Sequence, residues 1–238
     1  SVTGEADDFP GASPQKAGVA IADIFTGMYA TTSILAAIAH KNQTGEGQCI
    51  DLALLDTQIA VMANVASAYL CSDEIPKRWG NASQTIVPYQ TLPTSDGWMI
   101  VAAGNNGQFR HFVAAGGEAH LADNPLYSEN PMRIKHREQL VPLLEEMTKK
   151  KTKAEWIALL EKANVPCGPI NNFQEVFENE QVKARDIQIN VPHPTAGTMK
   201  LVASPMRLSK TPVEVRMAPP TLGQHTDEIL RERLGLNA

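Results

Sequence analysis

Over residues 21–40 the apolar side chains Ile21, Ile24, Phe25, Met28, Ile34, Leu35 and Ile38 recur at helical spacing, and alanine and other small residues fill most of the rest. That period predicts a helix, and the scarcity of charge on it predicts a mostly buried one. Thr44, Gly45 and Gly47 break the pattern, with both glycines read as turn glycines. Residues 49–54 then alternate Ile50, Leu52 and Leu54 as a strand does, and 56–70 predict a second helix rich in small residues.

Between Arg78 and about Arg185 the pattern changes. Residues 86–92 and 98–103 are apolar runs flanking Pro93-Thr94-Ser95-Asp96-Gly97, which predicts a hairpin. Helices follow: one run opened by Pro131 and ending near Lys150, and one to about Asn164 introduced by Thr152 and Glu155, the spacing of a capping box. A short helix is expected near Phe173, two strands on either side of 195–197, and a last helix near 227–234. The segment 217–225, MAPPTLGQH, is long and without periodicity, and is expected to lie over a partner surface.

Composition narrows the classes without choosing among them. A chain of 238 residues, 43% hydrophobic and 20% charged, buries a real core. A net charge of −5 gives no electrostatic reason to expect nucleic acid or an anionic membrane. Cys49, Cys71 and Cys167 are far apart and odd in number, which argues against a disulfide frame or zinc site and for a reducing, cytoplasmic setting. No apolar run is expected to approach the roughly 18 residues of a membrane span, and no secretory leader is expected after Ser1.

Isolated motifs carry little. TGEGQ lacks the lysine of a phosphate loop and enters a strand pattern rather than a helix. The lysines at 149, 150, 151 and 153 read as a solvated helix end. His193 and His225 stand apart from any nucleophile, and Cys167 reads as a packed thiol.

Longer stretches carry more. GVAIADIFTGMYA, KNQTGEGQCIDLALLD, RWGNASQTIVPYQTLPTSDGWMIVAAGNNGQF, ANVPCGPINNFQEVF, HPTAGTMKLVASPMRLSKTP and APPTLGQHTDEIL, in this order and spacing, resemble the class III CoA-transferases. This CaiB/BaiF family includes formyl-CoA and carnitine-CoA transferases and 2-methylacyl-CoA racemases. The resemblance implies an α/β fold: the C-terminal part of a two-domain enzyme, with a small α+β domain and an incomplete Rossmann-like large domain. By it, 1–70 belong to the large domain, 71–189 form the small domain with its linkers, and 190–238 return to the large domain. It also implies an interlocked homodimer.

The chemistry implied is transfer of CoA between carboxylic acids through an aspartyl-CoA thioester, with acyl-CoA and carboxylic acids as partners. CoA is then a carrier among the substrates, and neither a permanently bound cofactor nor a metal is expected. The first residues resemble the segment after the catalytic aspartate, so the nucleophile and the CoA-binding segment are expected upstream of Ser1, and the chain alone is expected to be inactive.

Residues near the site are Asp23, Met28, Asn81, Ser83, Gln84, Asn105 and Asn106. Asp23 is acidic within an apolar helix, which makes it the strongest candidate in this chain for a nucleophile, but it is expected to cap or pair there as architecture near the site; Met28 is read as core or as acyl-pocket wall. Asn81, Ser83 and Gln84 stand where formyl-CoA transferases carry a glycine run, and serve as a lid or a plain connector. Racemases of the family place a glutamate at the position of Asn105 or Asn106. An amide takes no proton at neutral pH, which disfavours racemisation; Asn106 is expected to cap the following helix or to touch substrate. The alternatives are a racemase of the same family and a noncatalytic subunit.

Overall fold

The structure is a computed structural model that describes residues 2–236; Ser1, Asn237 and Ala238, the ends of the expected 1–70 and 190–238 segments, lie outside the described residues. The chain divides into two compact units, between Pro169 and Ile170.

In the first unit, α1 (Ile21–Thr44) ends on Gly45, whose left-handed backbone (φ 80°) lets its N–H reach Lys41 O at 2.8 Å. None of its residues is buried, contrary to the buried helix its apolarity predicts. The reason is supply. Its apolar side chains lie all around the axis, and this chain gives it little to pack against besides α2 (Leu54–Val61).

The expectation that no segment approaches a membrane span is also corrected, because α1 has the length and the mean hydropathy, 1.4, of one. Its polar content is masked locally: the hydroxyls of Thr26, Thr31, Thr32 and Thr44 donate to carbonyls four residues back. Core helices of globular proteins have the same profile.

Residues 49–54 join no sheet among the described residues. Their alternation suits a strand, but no neighbouring strand accepts their backbone groups, and Leu54 already begins α2. The single helix expected over 56–70 is two, α2 and α3 (Ala63–Ser72), bent by 81° at Met62 and Ala63, where Ala63 has φ 42°. Neither glycine nor proline marks that bend.

The core lies farther on. β1 (Tyr89–Thr94) and β2 (Gly97–Ala102) pair antiparallel around Ser95-Asp96, and β3 (Cys167–Pro169) adds to the other edge of β2. Alternate residues Leu92, Met99 and Val101 face a layer of helices: α4 (Asn106–Ala115), α5 (His120–Asp123), α6 (Asn130–Lys135), α7 (Arg137–Thr148) and α8 (Lys153–Lys162). Phe109, Phe112, Leu140, Leu144, Trp156 and Leu160 complete a sealed interior. The hairpin starts three residues later than its apolar pattern, because Val87 is bonded to α6 instead: its N–H donates to Asn130 Oδ1 (3.1 Å) and its carbonyl accepts from Arg133 Nε (2.6 Å).

The hairpin tip is fastened to α8. Asp96 Oδ1 accepts from Thr94 Oγ1 (2.9 Å) and Lys153 N (2.7 Å), while Thr152 and Glu155 form the capping box their spacing predicts.

The second unit holds α9 (Phe173–Glu178), α10 (Glu180–Ala184), the hairpin β4 (Gln188–His193) and β5 (Gly197–Val202), and α11 (Thr226–Leu234). His193 Nδ1 accepts from the N–H groups of Thr195 (3.2 Å) and Ala196 (3.0 Å), so this imidazole shapes the turn. Residues 217–225 are irregular, with Leu222 fully exposed.

Candidate functional site

Asp23 lies in the first turn of α1, where the helix dipole favours an ionised carboxylate. It is exposed and takes part in no hydrogen bond or ion pair among the described residues, so the expectation that it caps or pairs is not met. The side of α1 above it is small. Thr26 turns its hydroxyl back to Ala22 O (2.7 Å), and a Cβ added to Gly27 would meet nothing within 4 Å. Met28, five residues on, points about 140° away around the axis at 100° per residue, so α1 does not bring it beside Asp23. It is exposed rather than core.

The loop containing Asn81, Ser83 and Gln84 is tied at several points. Ser83 N–H donates to Tyr89 O (2.8 Å), Ser83 Oγ accepts from Thr85 N (3.2 Å), and Ala82 bridges Gln90. Arg137 Nη2 donates to the carbonyls of Ser83 (2.8 Å) and Gln84 (3.2 Å). Asn81 is exposed. Ser83 and Gln84 thus present their main chain to an arginine, which nothing in their own sequence announces.

At the start of α4 the cap is Asn105, whose side chain accepts from Gln108 N at 2.9 Å, and not Asn106 as expected. Asn106 is engaged elsewhere: its Oδ1 accepts from Arg133 Nη2 at 3.0 Å. Arg133 is fully buried, stacks on Phe109 (4.4 Å to the ring centre) and also donates from Nη1 to Tyr127 O (2.9 Å). No carboxylate pairs with it among the described residues, and burial pushes its guanidinium down to about 10. Arg133 and Arg137, four residues apart, together clamp the chain at Ser83, Gln84 and Val87.

Arg137 is less completely used. It stacks on Trp79 (4.3 Å to the ring centre), and burial lowers its pKa, an effect that nearby Asp8 opposes. Its Nε and Nη1, with Trp79 Nε1, are buried and unpaired among the described residues. Neither arginine stands out in the sequence, since each has an ordinary helical context. Burial, and then Glu161, raise the pKa of the Cys167 thiol, which suits a packed thiol. No cluster of three or more metal-ligating side chains occurs among the described residues.

The sequence profile of CoA-transferase family III matches residues 1–226. The chain is 40% identical over 232 residues to the succinate–glutarate CoA-transferase of Agrobacterium fabrum, covering 98% of this chain and 57% of that protein. It is 39% identical over 221 residues to the succinyl-CoA:glutarate CoA-transferase of Homo sapiens, covering 93% and 50%. The crystal structure of a CaiB/BaiF family protein from Brucella suis superposes with a TM-score of 0.80 at 41% identity, over 97% of this chain and 59% of that one. The chain therefore spans about half the length of the curated relatives it matches. It has the mixed α/β fold of the CaiB/BaiF proteins and belongs to CoA-transferase family III.

Proposed function

We propose that the protein transfers CoA between dicarboxylic acids through a covalent aspartyl-CoA thioester, and that Asp23, in place of the aspartate expected upstream of Ser1, is the carboxylate that carries the CoA. One observation carries the assignment: Asp23 is an exposed carboxylate, unpartnered among the described residues, in the first turn of α1, and a Cβ added to Gly27, four residues on, would meet nothing within 4 Å. The substrate class is supported by the relatives, whose names specify succinate and glutarate, mesaconate or citramalate.

In this mechanism the Asp23 carboxylate attacks the thioester carbonyl of the donor, forming a mixed anhydride and releasing CoA thiolate. The thiolate attacks the Asp23 carbonyl, the donor acid leaves as its carboxylate, and Asp23 carries CoA as a thioester. The acceptor carboxylate attacks that carbonyl, forming a second anhydride and freeing the thiolate. Attack of the thiolate on the acceptor acyl carbonyl yields the new acyl-CoA and restores Asp23. Each step exchanges one anionic leaving group for another and consumes no proton. Amide donors facing the oxyanions and exclusion of water are the remaining needs.

Asn106 supports transfer over isomerisation. Its amide oxygen is held by Arg133, and an amide provides no base for an α-proton. The exposed apolar faces of α1, α2 and α3 support coverage by further chain in an interlocked dimer, and the three free thiols support a cytoplasmic setting.

The test is hydroxylamine trapping of the complete protein incubated with succinyl-CoA. An aspartyl hydroxamate at Asp23, absent from Asp23→Asn, is expected. A hydroxamate of undiminished yield in that variant would place the nucleophile elsewhere.

A further inference from the structure

Arg137 and Asn130 hold the loop after Trp79 by its main chain and leave its side chains uncommitted. Arg137 Nη2 donates to Ser83 O (2.8 Å) and Gln84 O (3.2 Å), and Asn130 Nδ2 donates to Thr85 O (2.8 Å). The Gln84 side chain is exposed and takes part in no hydrogen bond among the described residues. A fixed backbone that presents a free amide is preorganised for a ligand, because little ordering is left to be done on binding.

Gln84 borders a cavity of about 320 Å³, at the lower end of the range for small-molecule sites. α3 contributes Asn64, Val65 and Ala68 to it, and the segment that follows contributes Pro76 and Lys77. Lys77 is the only charged residue lining it among the described residues. It also borders the cavities that contain Asp8 and Glu74, yet it pairs with no carboxylate among the described residues. Its backbone is set by Pro76 on one side and on the other by Arg78, whose N–H donates to Asp7 Oδ2 (2.9 Å). Asn64, Lys77 and Gln84 are all exposed, so a ligand oxygen can reach them. Ser83 Oγ, also in the lining, accepts from Thr85 N (3.2 Å), which leaves its O–H to donate.

We propose that the Lys77–Gln84 cavity binds a short dicarboxylic acid. Lys77 takes one carboxylate in a charge-assisted hydrogen bond, the amides of Asn64 and Gln84 donate to the other, and Val65, Ala68 and Pro76 lie against the methylenes between them. A lone cation among neutral donors matches a carboxylate better than a phosphate dianion, for which there is no second cation in the lining among the described residues. The choice of a dicarboxylic acid rests on the substrate reading above, whereas occupation of the cavity does not require turnover.

The experiment is a titration of the ¹⁵N-labelled chain with sodium glutarate at constant ionic strength, following the side-chain amide resonance assigned to Gln84 by its loss in Gln84→Met. A saturable shift is expected. Lys77→Met should weaken binding by about tenfold, the effect of losing one charge-assisted donor, and Lys77→Arg should keep most of the affinity. Lys77 is exposed, and the indole resonance of Trp156, from the sealed core, reports that the variants keep the fold. Butyrate, which has a similar body and one carboxylate, should bind the parent chain about tenfold more weakly than glutarate. The absence of a saturable shift, or Lys77→Met binding as tightly as the parent, overturns the proposal. Butyrate binding as tightly as glutarate overturns the two-ended site, and tighter saturation by inorganic phosphate than by glutarate marks a phosphate site in its place. Because binding is read without acyl-CoA, a failure here is distinct from failure to trap the Asp23 hydroxamate.

Discussion

Arg133 and Asn106 meet at 3.0 Å, a buried guanidinium nitrogen donating to an exposed residue's amide oxygen. Arginine has no acceptor, so the contact fixes which way the amide points: Oδ1 inward, Nδ2 free to donate outward. Arg133→Met should leave Val87 O, Tyr127 O and Asn106 Oδ1 without their donor. At about 1 kcal/mol for each, the expected loss is about 3 kcal/mol. Urea denaturation measures it. A loss under about 0.5 kcal/mol would mean that relief of the buried charge cancels the orphaned acceptors.

The hairpin tip should be acid-sensitive. The Lys153 backbone N–H, and then the Thr94 hydroxyl, hold the Asp96 carboxyl below its ordinary value of 3.8. A carboxyl depressed in the folded state contributes stability that is full above the unfolded pKa and lost as pH falls through the folded one. Asp96→Ala should therefore lower Tm by the same amount at about pH 7 and about pH 5, and by less below pH 3.8. A gap that widened on acidification would contradict the assigned direction.

Gly116 closes α4 with ordinary backbone (φ −82°), so its requirement is for space. A Cβ there would lie 2.1 Å from Met147 Sδ, in the sealed core. Gly116→Ala should cost about 1–3 kcal/mol by overpacking despite alanine's better helix propensity. Adding Met147→Ala should recover part of that loss, and a purely additive double variant would deny the clash.

Local chemistry determines which features are legible in the sequence. Thr152 and Glu155 announce their capping box three residues apart, and Asp96-Gly97 announces its turn, because the interacting groups are neighbours in sequence. Over 49–54 and 21–40 the pattern does not determine the environment. Alternation does not supply a pairing strand, and apolarity does not supply a covering surface. The two arginines are not legible because all their hydrogen-bond partners but Tyr127 are 27 to 54 positions away, main-chain carbonyls for the most part, which leave no trace in residue type. Asp23 is visible as an acid in an apolar helix, but its lack of a partner among the described residues is a fact of three dimensions.

Exposure of α1 makes the last prediction a contrast between two leucines. Leu35 is 62% exposed, while Leu140 is 0% exposed at the centre of the core. In this chain alone, Leu35→Asn should change stability by no more than about 0.5 kcal/mol, and Leu140→Ala should cost about 2–5 kcal/mol. Binding of a hydrophobic dye should fall in the first variant, because part of the apolar patch is removed. In the complete protein the order should converge, since covering α1 turns Leu35 into an interface residue. There Leu35→Asn should weaken assembly, measured as a rise in the dissociation constant of the oligomer. If Leu35→Asn is costly in this chain alone and that cost depends on protein concentration, α1 is already covered by a second copy; if it leaves assembly of the complete protein unchanged, the patch on α1 is not an interface.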